Sequence, residues 1–153
     1  MFRLERDLVP QAEPYTFEEA FEALHLGLEL PDSRLDEYAE VGAPELLADA
    51  ACANYFVLGP PAPEVWRSLD LSAHPVMGVV VGRYERQGSG RNVLGDPRIA
   101  LAWLANELSE IGAALRAGEV VTTGTCVMPM AVEPGDEVIG DFGRLGQVTV
   151  RLS

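Results

Sequence analysis

The strongest helical pattern of apolar positions in the chain begins after Asp96 and Pro97. An acidic N-cap accepts hydrogen bonds from the first free N–H groups of a helix, and proline suits the first turn because its missing N–H is not needed there. Apolar residues then recur at spacings of three and four, namely Leu101, Leu104, Leu108, Ile111 and Leu115. Gly118 follows them, and glycine commonly ends a helix. The pattern predicts one long helix from 96 to 118 that covers a sheet with its apolar side.

Two shorter helices are predicted elsewhere, and one aromatic residue is assigned to the core. Thr16 and Glu19 have the spacing of a capping box, and apolar residues at 17, 21 and 24 follow a helical period, so a helix is predicted from Thr16. Another helix is predicted within 44–54, beginning at Pro44. Trp103 stands inside the apolar stripe of the long helix, and we expect it to be buried.

Strand patterns occupy the remaining apolar segments. Residues 76–86 are rich in valine and glycine and predict one strand, followed by a turn at 87–90. Residues 119–123 predict a short β-branched strand. Residues 138–152 predict a hairpin with one buried side, because apolar and polar residues alternate in its second half. The preceding segment, 133–136, has proline and glycine at the centre and predicts a type II turn.

The composition is that of an ordinary folded domain. Hydrophobic residues make up 48% of the 153-residue chain and charged residues 23%, which argues against disorder. Short strands, glycine-rich turns and one long helix predict an α+β domain on a rolled β-sheet, with 1–153 as a single domain.

Charge and cysteine content narrow the classes of partner. The net charge is −13, from 24 acidic and 11 basic residues, and a field of that sign repels phosphate, so neither nucleic acid nor an anionic membrane is expected as a partner. Two cysteines do not make a disulfide framework, and the first residues contain no apolar signal segment. A cytoplasmic location is therefore predicted.

Four segments resemble one enzyme family in their order and spacing. They read Glu29 before Asp32-Ser33-Arg34, then Asp49 through Gly59 ending in Phe56-Val57-Leu58-Gly59, then Leu94-Gly95-Asp96-Pro97 with Ala102-Trp103-Leu104-Ala105-Asn106, and finally Thr123-Gly124-Thr125 with Glu133-Pro134-Gly135-Asp136 and Phe142-Gly143-Arg144-Leu145-Gly146. They resemble the C-terminal part of the fumarylacetoacetate hydrolase superfamily, in the branch of 2-keto-4-pentenoate hydratases and 4-oxalocrotonate decarboxylases. The resemblance implies a mixed β-roll of the fumarylacetoacetate hydrolase C-terminal-domain type with one long covering helix.

The same resemblance implies a chemistry and three site residues. Enzymes of this branch use Mg²⁺ or Mn²⁺ to hold a 2-oxo acid, and they hydrate 2-hydroxydienoates or decarboxylate related acids in the catabolism of aromatic compounds. Glu29 matches a metal carboxylate of the family, with a surface glutamate as the alternative. Thr125 matches a hydroxyl at the substrate pocket, or else a turn hydroxyl bonded to its own backbone. Arg34 is a candidate for the substrate carboxylate, or else an ion-pair partner of Asp32.

Other functional residues of the family have no counterpart in this chain. The resemblance places a Glu-x-Glu metal pair immediately before Met1 and a catalytic lysine further upstream, and the chain contains no lysine. One carboxylate does not hold Mg²⁺ tightly, because this ion needs several oxygen ligands. We therefore expect weak or absent metal binding by this chain alone, and no catalytic residue is assigned. Cys52 stands where the family commonly has a polar residue, and His25 and His74 lack metal-ligand spacing, so structural roles are expected.

Three functions remain open at this point. The first is a hydratase or decarboxylase completed by another chain or segment, and the second is a non-catalytic paralogue that acts as a binding or partner subunit. The third is an acylpyruvate-type hydrolase. A small 2-oxo acid is the expected substrate, and a homo-oligomer or a complementing chain is expected because an incomplete rolled sheet leaves open strand edges.

Overall fold

A computed structural model describes residues 1–17 and 21–153 of the chain. Within these residues eight strands form two antiparallel four-stranded sheets. The strands are β1 (Phe2–Leu4), β2 (Phe21–Leu30), β3 (Tyr55–Pro61), β4 (Pro75–Val80), β5 (Tyr84–Ser89), β6 (Val120–Val121), β7 (Glu137–Asp141) and β8 (Gln147–Arg151). The α-helices are α1 (Ala43–Ala48) and α2 (Pro97–Glu110). Short 3-10 turns occupy Ala50–Cys52, Glu64–Ser68, Gly90–Asn92 and Gly143–Leu145. The predicted α+β class with one long helix is confirmed.

The first sheet has the strand order β3-β2-β1-β6. The helix predicted from Thr16 is wrong for residues 21–30, which form the inner strand β2 of this sheet. Residues 18–20 lie outside the described part of the chain. From Leu24 to Leu30 every second residue is leucine, and this period of two suits a strand whose two sides have different environments. Pairing with β1 and β3 satisfies the backbone of β2, so long-range partners override the local capping pattern.

The second sheet has the strand order β5-β4-β7-β8 and no register shift in its three pairings. The prediction of a single strand over 76–86 is wrong, because a turn at 81–83 divides it into β4 and β5. Gly82 has a φ of 76°, which glycine adopts without a Cβ clash. The predicted turn at 87–90 belongs largely to β5, where Gly88 lets the carbonyl of Cys126 approach the strand.

The two sheets pack face to face around one core. A side chain at Gly59 would collide with Val148, and one at Gly140 would lie 2.9 Å from Leu28 Cδ2, so glycines allow the sheets to approach. The buried cluster includes residues from both sheets and from α2, among them Phe2, Leu4, Leu24, Leu26, Trp66, Leu101, Val121, Leu145 and Val148. This cluster fixes the inner face of the first sheet.

Helix α2 begins as predicted and ends earlier. The carboxylate of Asp96 accepts a hydrogen bond from the backbone N–H of Arg98 at 2.8 Å, which confirms the N-cap. The helix stops at Glu110 and not at Gly118, because Gly112 has a φ of 76°. The N–H groups of Gly112 and Ala113 then donate to the carbonyls of Ser109 and Leu108, which is the Schellman pattern.

Two other expectations about this region are corrected by the same geometry. Leu115 does not continue the helical stripe; it forms an isolated bridge with Leu8, whose N–H donates to its carbonyl at 2.8 Å. Trp103 is 57% exposed, so its assignment to the core is wrong. The buried residues of the helix are Pro97, Ala100, Leu101 and Ala105. The inward side of α2 is thus narrower than the sequence pattern predicts.

The remaining local predictions agree with the structure. The hairpin of β7 and β8 forms over 137–151, and Asp136 N–H donates to the carbonyl of Glu133 at 3.0 Å with Gly135 at a φ of 97°, as a type II turn requires. The segment at 119–123 forms the shorter strand β6, and α1 overlaps the helix predicted within 44–54. None of the described helices is long and apolar enough to cross a bilayer.

Candidate functional site

The candidate metal ligand Glu29 lies near the C-terminal end of β2, on the outer face of the first sheet. Along β2 the residues Leu26 and Leu28 point inward to the core, so Gly27 and Glu29 belong to the opposite face. Glu29 is solvent-exposed and lies directly opposite Phe56 on β3. Its carboxylate is therefore available to a ligand and is not used by the core.

The edge of β2 beside Glu29 is open. The N–H of His25 donates to the carbonyl of Met1 at 2.8 Å, and β1 pairs with β2 no further toward Leu30. Backbone groups alternate in direction along a strand, so the N–H and C=O groups of Gly27 and Glu29 point to the same side as those of His25. No strand of the described part of the chain pairs with them there. This side of β2 can accept another strand.

Three groups of different segments converge at this edge. Burial lowers the pKa of the Met1 α-amino group to about 6, while the nearby Cys126 and Glu29 act in the opposite direction. Burial also raises the pKa of the Cys126 thiol, which keeps it protonated and weakly nucleophilic. Glu29, Met1 and the loop of Cys126 thus lie within electrostatic reach of one another.

Thr125 is carried by the same loop. The carbonyl of Cys126 accepts hydrogen bonds from the backbone N–H of Ser89 at 3.1 Å and from Nδ2 of Asn92 at 2.7 Å, so the loop is attached to the end of β5. Thr125 itself is exposed, and its hydroxyl has no hydrogen-bond partner among the described residues. The alternative of a turn hydroxyl bonded to its own backbone therefore has no observed bond in its favour.

Arg34 is placed in an ion pair, but its partner is not Asp32. The carboxylate of Asp49 accepts from Nε of Arg34 at 2.6 Å and from the hydroxyl of Ser33 at 2.6 Å. The Arg34 side chain is 75% exposed and that of Asp49 is 4% exposed. The Ser33 hydroxyl is the main cause that lowers the pKa of Asp49, followed by Arg34. The guanidinium is thus anchored at Nε while most of it faces solvent.

A backbone turn in an unusual conformation follows Asp49. Ala50, Ala51 and Cys52 have φ values of 52°, 52° and 62°, which residues with a Cβ rarely adopt. The carbonyl of Cys52 accepts from the N–H of Asp32 at 3.0 Å, so this turn holds the segment that leaves Glu29. The sequence alone does not reveal the role of Asp49 in this network, although Asp49 heads a segment that resembles the family.

The described residues alone do not fit a divalent metal. Residues 1–17 and 21–153 contain no group of three or more His, Cys, Asp or Glu side chains that could hold a metal ion. Glu29 is one carboxylate, whereas Mg²⁺ takes about six oxygen ligands. The histidines have structural contacts: His25 Nδ1 donates to the Gly59 carbonyl at 3.1 Å, and His74 Nε2 donates to the Phe142 carbonyl at 2.8 Å.

Two surface cavities lie elsewhere and do not include the three candidate residues. One is lined by Pro75, Val76, Met77, Gln87, Gly88, Asp141 and Gly143. The other is lined by Phe17, Trp66, Arg67, Ser68, Leu69, Asp70 and Arg98.

The chain is similar to proteins of known activity in both sequence and structure. No family model matches the chain. A 2-keto-4-pentenoate hydratase of Burkholderia vietnamiensis is 34% identical over 148 residues, which are 95% of this chain and 55% of that protein. A 4-oxalocrotonate decarboxylase of Pseudomonas putida is 31% identical over 125 residues, covering 82% of this chain and 47% of that protein.

The structure of a known decarboxylase supports the similarity to these relatives. The 4-oxalocrotonate decarboxylase from Pseudomonas putida G7, complexed with magnesium and adipate, superposes with a TM-score of 0.85 at 26% identity and covers 99% of this chain and 57% of that one. The resemblance to 2-keto-4-pentenoate hydratases and 4-oxalocrotonate decarboxylases is confirmed over nearly the whole chain. The chain spans about half the length of these proteins.

Proposed function

We propose that this chain forms the C-terminal portion of a metal-dependent hydratase or decarboxylase of 2-hydroxydienoate or 2-oxo acids, with the β-roll of the fumarylacetoacetate hydrolase C-terminal domain. The observation that carries the proposal is the placement of the exposed carboxylate of Glu29 beside a strand edge that no described strand pairs beyond β1. The relatives that it matches are about twice as long, and two solved structures of one of them are complexes with magnesium and with calcium. The reaction would belong to the catabolism of aromatic compounds.

The missing ligands would come from a strand that extends β1 along β2. An extended segment preceding Met1, or one from a second polypeptide, would pair with the free backbone groups of Gly27 and Glu29. Residues two apart on that strand share a face, so a Glu-x-Glu pair in the matching register has both carboxylates on the side of Glu29. Three carboxylates, together with substrate oxygens and water, make a suitable Mg²⁺ or Mn²⁺ site.

The other residues of the site would bind the substrate. A hard cation that chelates a 2-oxo acid polarises its keto oxygen, and this is the chemistry that the metal supplies. Thr125 is exposed on the loop next to Cys126 and offers an unused hydroxyl to the substrate. Arg34, held at Nε by Asp49, offers its terminal N–H groups to a carboxylate. These roles of Thr125 and Arg34 rest on exposure and on the family resemblance.

The proposal is tested by completing the protein. The chain is co-expressed with the part of the Burkholderia vietnamiensis relative that lies outside the matched region. This part is chosen so that it includes a Glu-x-Glu pair, and the resulting assembly is called the completed complex. Titration calorimetry with Mn²⁺ and loss of 2-hydroxypenta-2,4-dienoate by ultraviolet absorbance are then measured. We expect metal binding and turnover in the completed complex, and little of either in the chain alone.

Glu29→Gln is the decisive variant, because it keeps the shape and removes one negative ligand. It should weaken Mn²⁺ binding by about tenfold or more and reduce turnover, with partial rescue at high Mn²⁺. Glu5→Gln is the matched control, since Glu5 is also exposed and lies beyond the end of β1. Unchanged metal affinity and turnover in Glu29→Gln would show that this ligand assignment is wrong.

A second candidate function is a non-catalytic partner subunit. It is favoured by the single carboxylate at the site and by Cys52, which stands where the family commonly has a polar residue. In that case the completed complex would form without binding Mn²⁺ or consuming substrate. The acylpyruvate-type hydrolase remains a further alternative and predicts hydrolysis of an acylpyruvate by the same complex. We also propose a cytoplasmic protein that forms a homo-oligomer or binds a complementing chain.

A further inference from the structure

The outer face of the first sheet carries large apolar side chains next to Glu29. Phe56 lies directly opposite Glu29 in the pairing of β2 with β3, and Leu58 lies directly opposite Gly27. Directly opposite residues of an antiparallel pair share a face, with Cβ atoms about 4.5–5.5 Å apart. Phe56 is 42% exposed and Leu58 is 45% exposed, so the core does not use this surface.

The strand that carries these residues is fixed from its other side. Val57, between Phe56 and Leu58, packs against the buried core together with Leu28, which is its partner on β2. The backbone of β3 is therefore anchored while the two neighbouring side chains remain available. An apolar surface of this kind is preformed, because binding a ligand there requires no repacking of the core.

Gly27 shapes the surface between these side chains. A side chain at this position would collide with the thioether of Met1 and would lie 3.0 Å from the carbonyl of Val57. With glycine there, the thioether of Met1 occupies the place of a side chain opposite Leu58 and completes an apolar patch next to Glu29. The patch, formed by Met1, Phe56 and Leu58, is called the apolar floor below.

We propose that the apolar floor binds the hydrocarbon tail of the acid substrate, and that Phe56 determines which tail lengths are accepted. The inference rests on the proposed function, since it assumes that the polar head of the substrate is held at Glu29. The completing strand would occupy the β1 side of Glu29, so the tail is directed to the β3 side, where Phe56 is the first side chain. Apolar surface there favours a longer tail, because each buried methylene removes hydrocarbon from water.

Binding of a homologous series measures this contact without turnover. The ligands are 2-oxobutanoate, 2-oxopentanoate and 2-oxohexanoate, titrated into the completed complex with Mn²⁺ in a calorimeter. A fully buried methylene improves affinity by about fourfold. We expect a gain approaching this value per methylene in the native sequence, a gain below about twofold in Phe56→Ala, and an intermediate gain in Phe56→Leu. Affinity for Mn²⁺ alone should be the same in all three proteins.

Tyr55→Ala is the matched control. Tyr55 is the neighbouring aromatic residue on β3, it is 71% exposed, and it lies opposite Leu30 on the other face. It should leave the gain per methylene unchanged. An equal loss in Tyr55→Ala and Phe56→Ala would overturn the assignment, and so would an unchanged gain in Phe56→Ala.

Turnover measurements distinguish a failure of this inference from a failure of the proposed function on which it rests. In the completed complex the preference between 2-hydroxypenta-2,4-dienoate and 2-hydroxyhexa-2,4-dienoate, as a ratio of kcat/KM values, should change by several-fold in Phe56→Ala. Turnover of both substrates with an unchanged ratio would refute the role of Phe56 and leave the proposed function intact. Absence of both turnover and 2-oxo acid binding would refute the proposed function and this inference together.

Discussion

The two faces of the first sheet are built from the same strands and differ in almost every physical respect. The inner face places Phe2 and Leu26 in a cluster where they are 0% and 3% exposed. The outer face places Glu29 and Phe56 in contact with solvent, beside backbone groups that no described strand pairs. Since side chains alternate along a strand, one segment can supply stability on one side and chemistry on the other.

This difference indicates that changes to the outer face can alter binding without unfolding the domain. Residues of the inner face are surrounded by apolar atoms, so their truncation leaves a cavity. Truncation of residues on the outer face costs the domain little stability, because water fills the space that they leave. The two faces are therefore distinguishable by unfolding experiments as well as by function.

The largest expected effect is a difference in stability between the alanine variants of two phenylalanines in this sheet. Phe2→Ala removes a ring that is fully buried and lies 5.5 Å from that of Phe17, and should lower the free energy of unfolding by about 3–5 kcal/mol. Phe56→Ala should lower it by less than about 1 kcal/mol, because Phe56 is 42% exposed. Urea unfolding followed by circular dichroism measures both. Equal losses would remove the distinction between the two faces.

A smaller effect is expected from Asp49, which holds the segment leaving the outer face. Asp49→Asn keeps the size of the side chain but weakens its bonds to Ser33 and Arg34, so the melting temperature should fall, by less than in Phe2→Ala. Asp7→Asn is a suitable comparison, since Asp7 accepts from Ala117 and Arg116 far from this segment. In the completed complex only Asp49→Asn should also weaken 2-oxo acid binding. If Asp7→Asn weakens it equally, Asp49 has no positioning role at the site.

The contribution of Asp49 should depend on pH in a defined direction. Hydrogen bonds from Ser33 and Arg34 lower its pKa in the folded chain, while an unfolded aspartate titrates at about 4. Its stabilising effect is thus complete above about pH 5 and is lost as the pH falls through the lowered value. The difference in melting temperature between the native sequence and Asp49→Asn should therefore narrow below about pH 4. A difference that grows at low pH would contradict this assignment.

The beginning of α2 was predictable because its signals are local. Asp96 and Pro97 act on their own first turn, so the N-cap follows from sequence alone. Its end was not predictable, because Gly112 and Gly118 both suit the end of a helix and the pairing of Leu115 with Leu8 decides between them. The strand β2 is not predictable from sequence for a related reason: the capping pattern near Thr16 is local, whereas pairing with β1 and β3 is not.

At the candidate site, too, local sequence segments are predictable and long-range contacts are not. Glu29, Arg34 and Thr125 could be selected because they stand in segments that resemble a family, and their roles remain predictions. The ion pair of Arg34 with Asp49 could not be found, since Asp32 is equally plausible until the turn at 50–52 is known. The position of Phe56 beside Glu29 depends on the register between β2 and β3, which the sequence pattern does not define.

The smallest expected effect concerns the open edge of β2, and hydrogen exchange measures it without any substitution. In the chain alone the N–H groups of Gly27 and Glu29 point away from β3 and should exchange rapidly, whereas those of Leu26 and Leu28 point toward β3 and should be protected. In the completed complex the amides of Gly27 and Glu29 should become protected, because the added strand accepts their hydrogen bonds. Stability of the second sheet should not change, so the amides of β4 and β7 serve as internal controls.

Slow exchange at Gly27 and Glu29 in the chain alone, at a concentration where light scattering shows a monomer, would mean that this edge is not open. Slow exchange that appears only on self-association would instead identify a second copy of the chain as the partner that covers it.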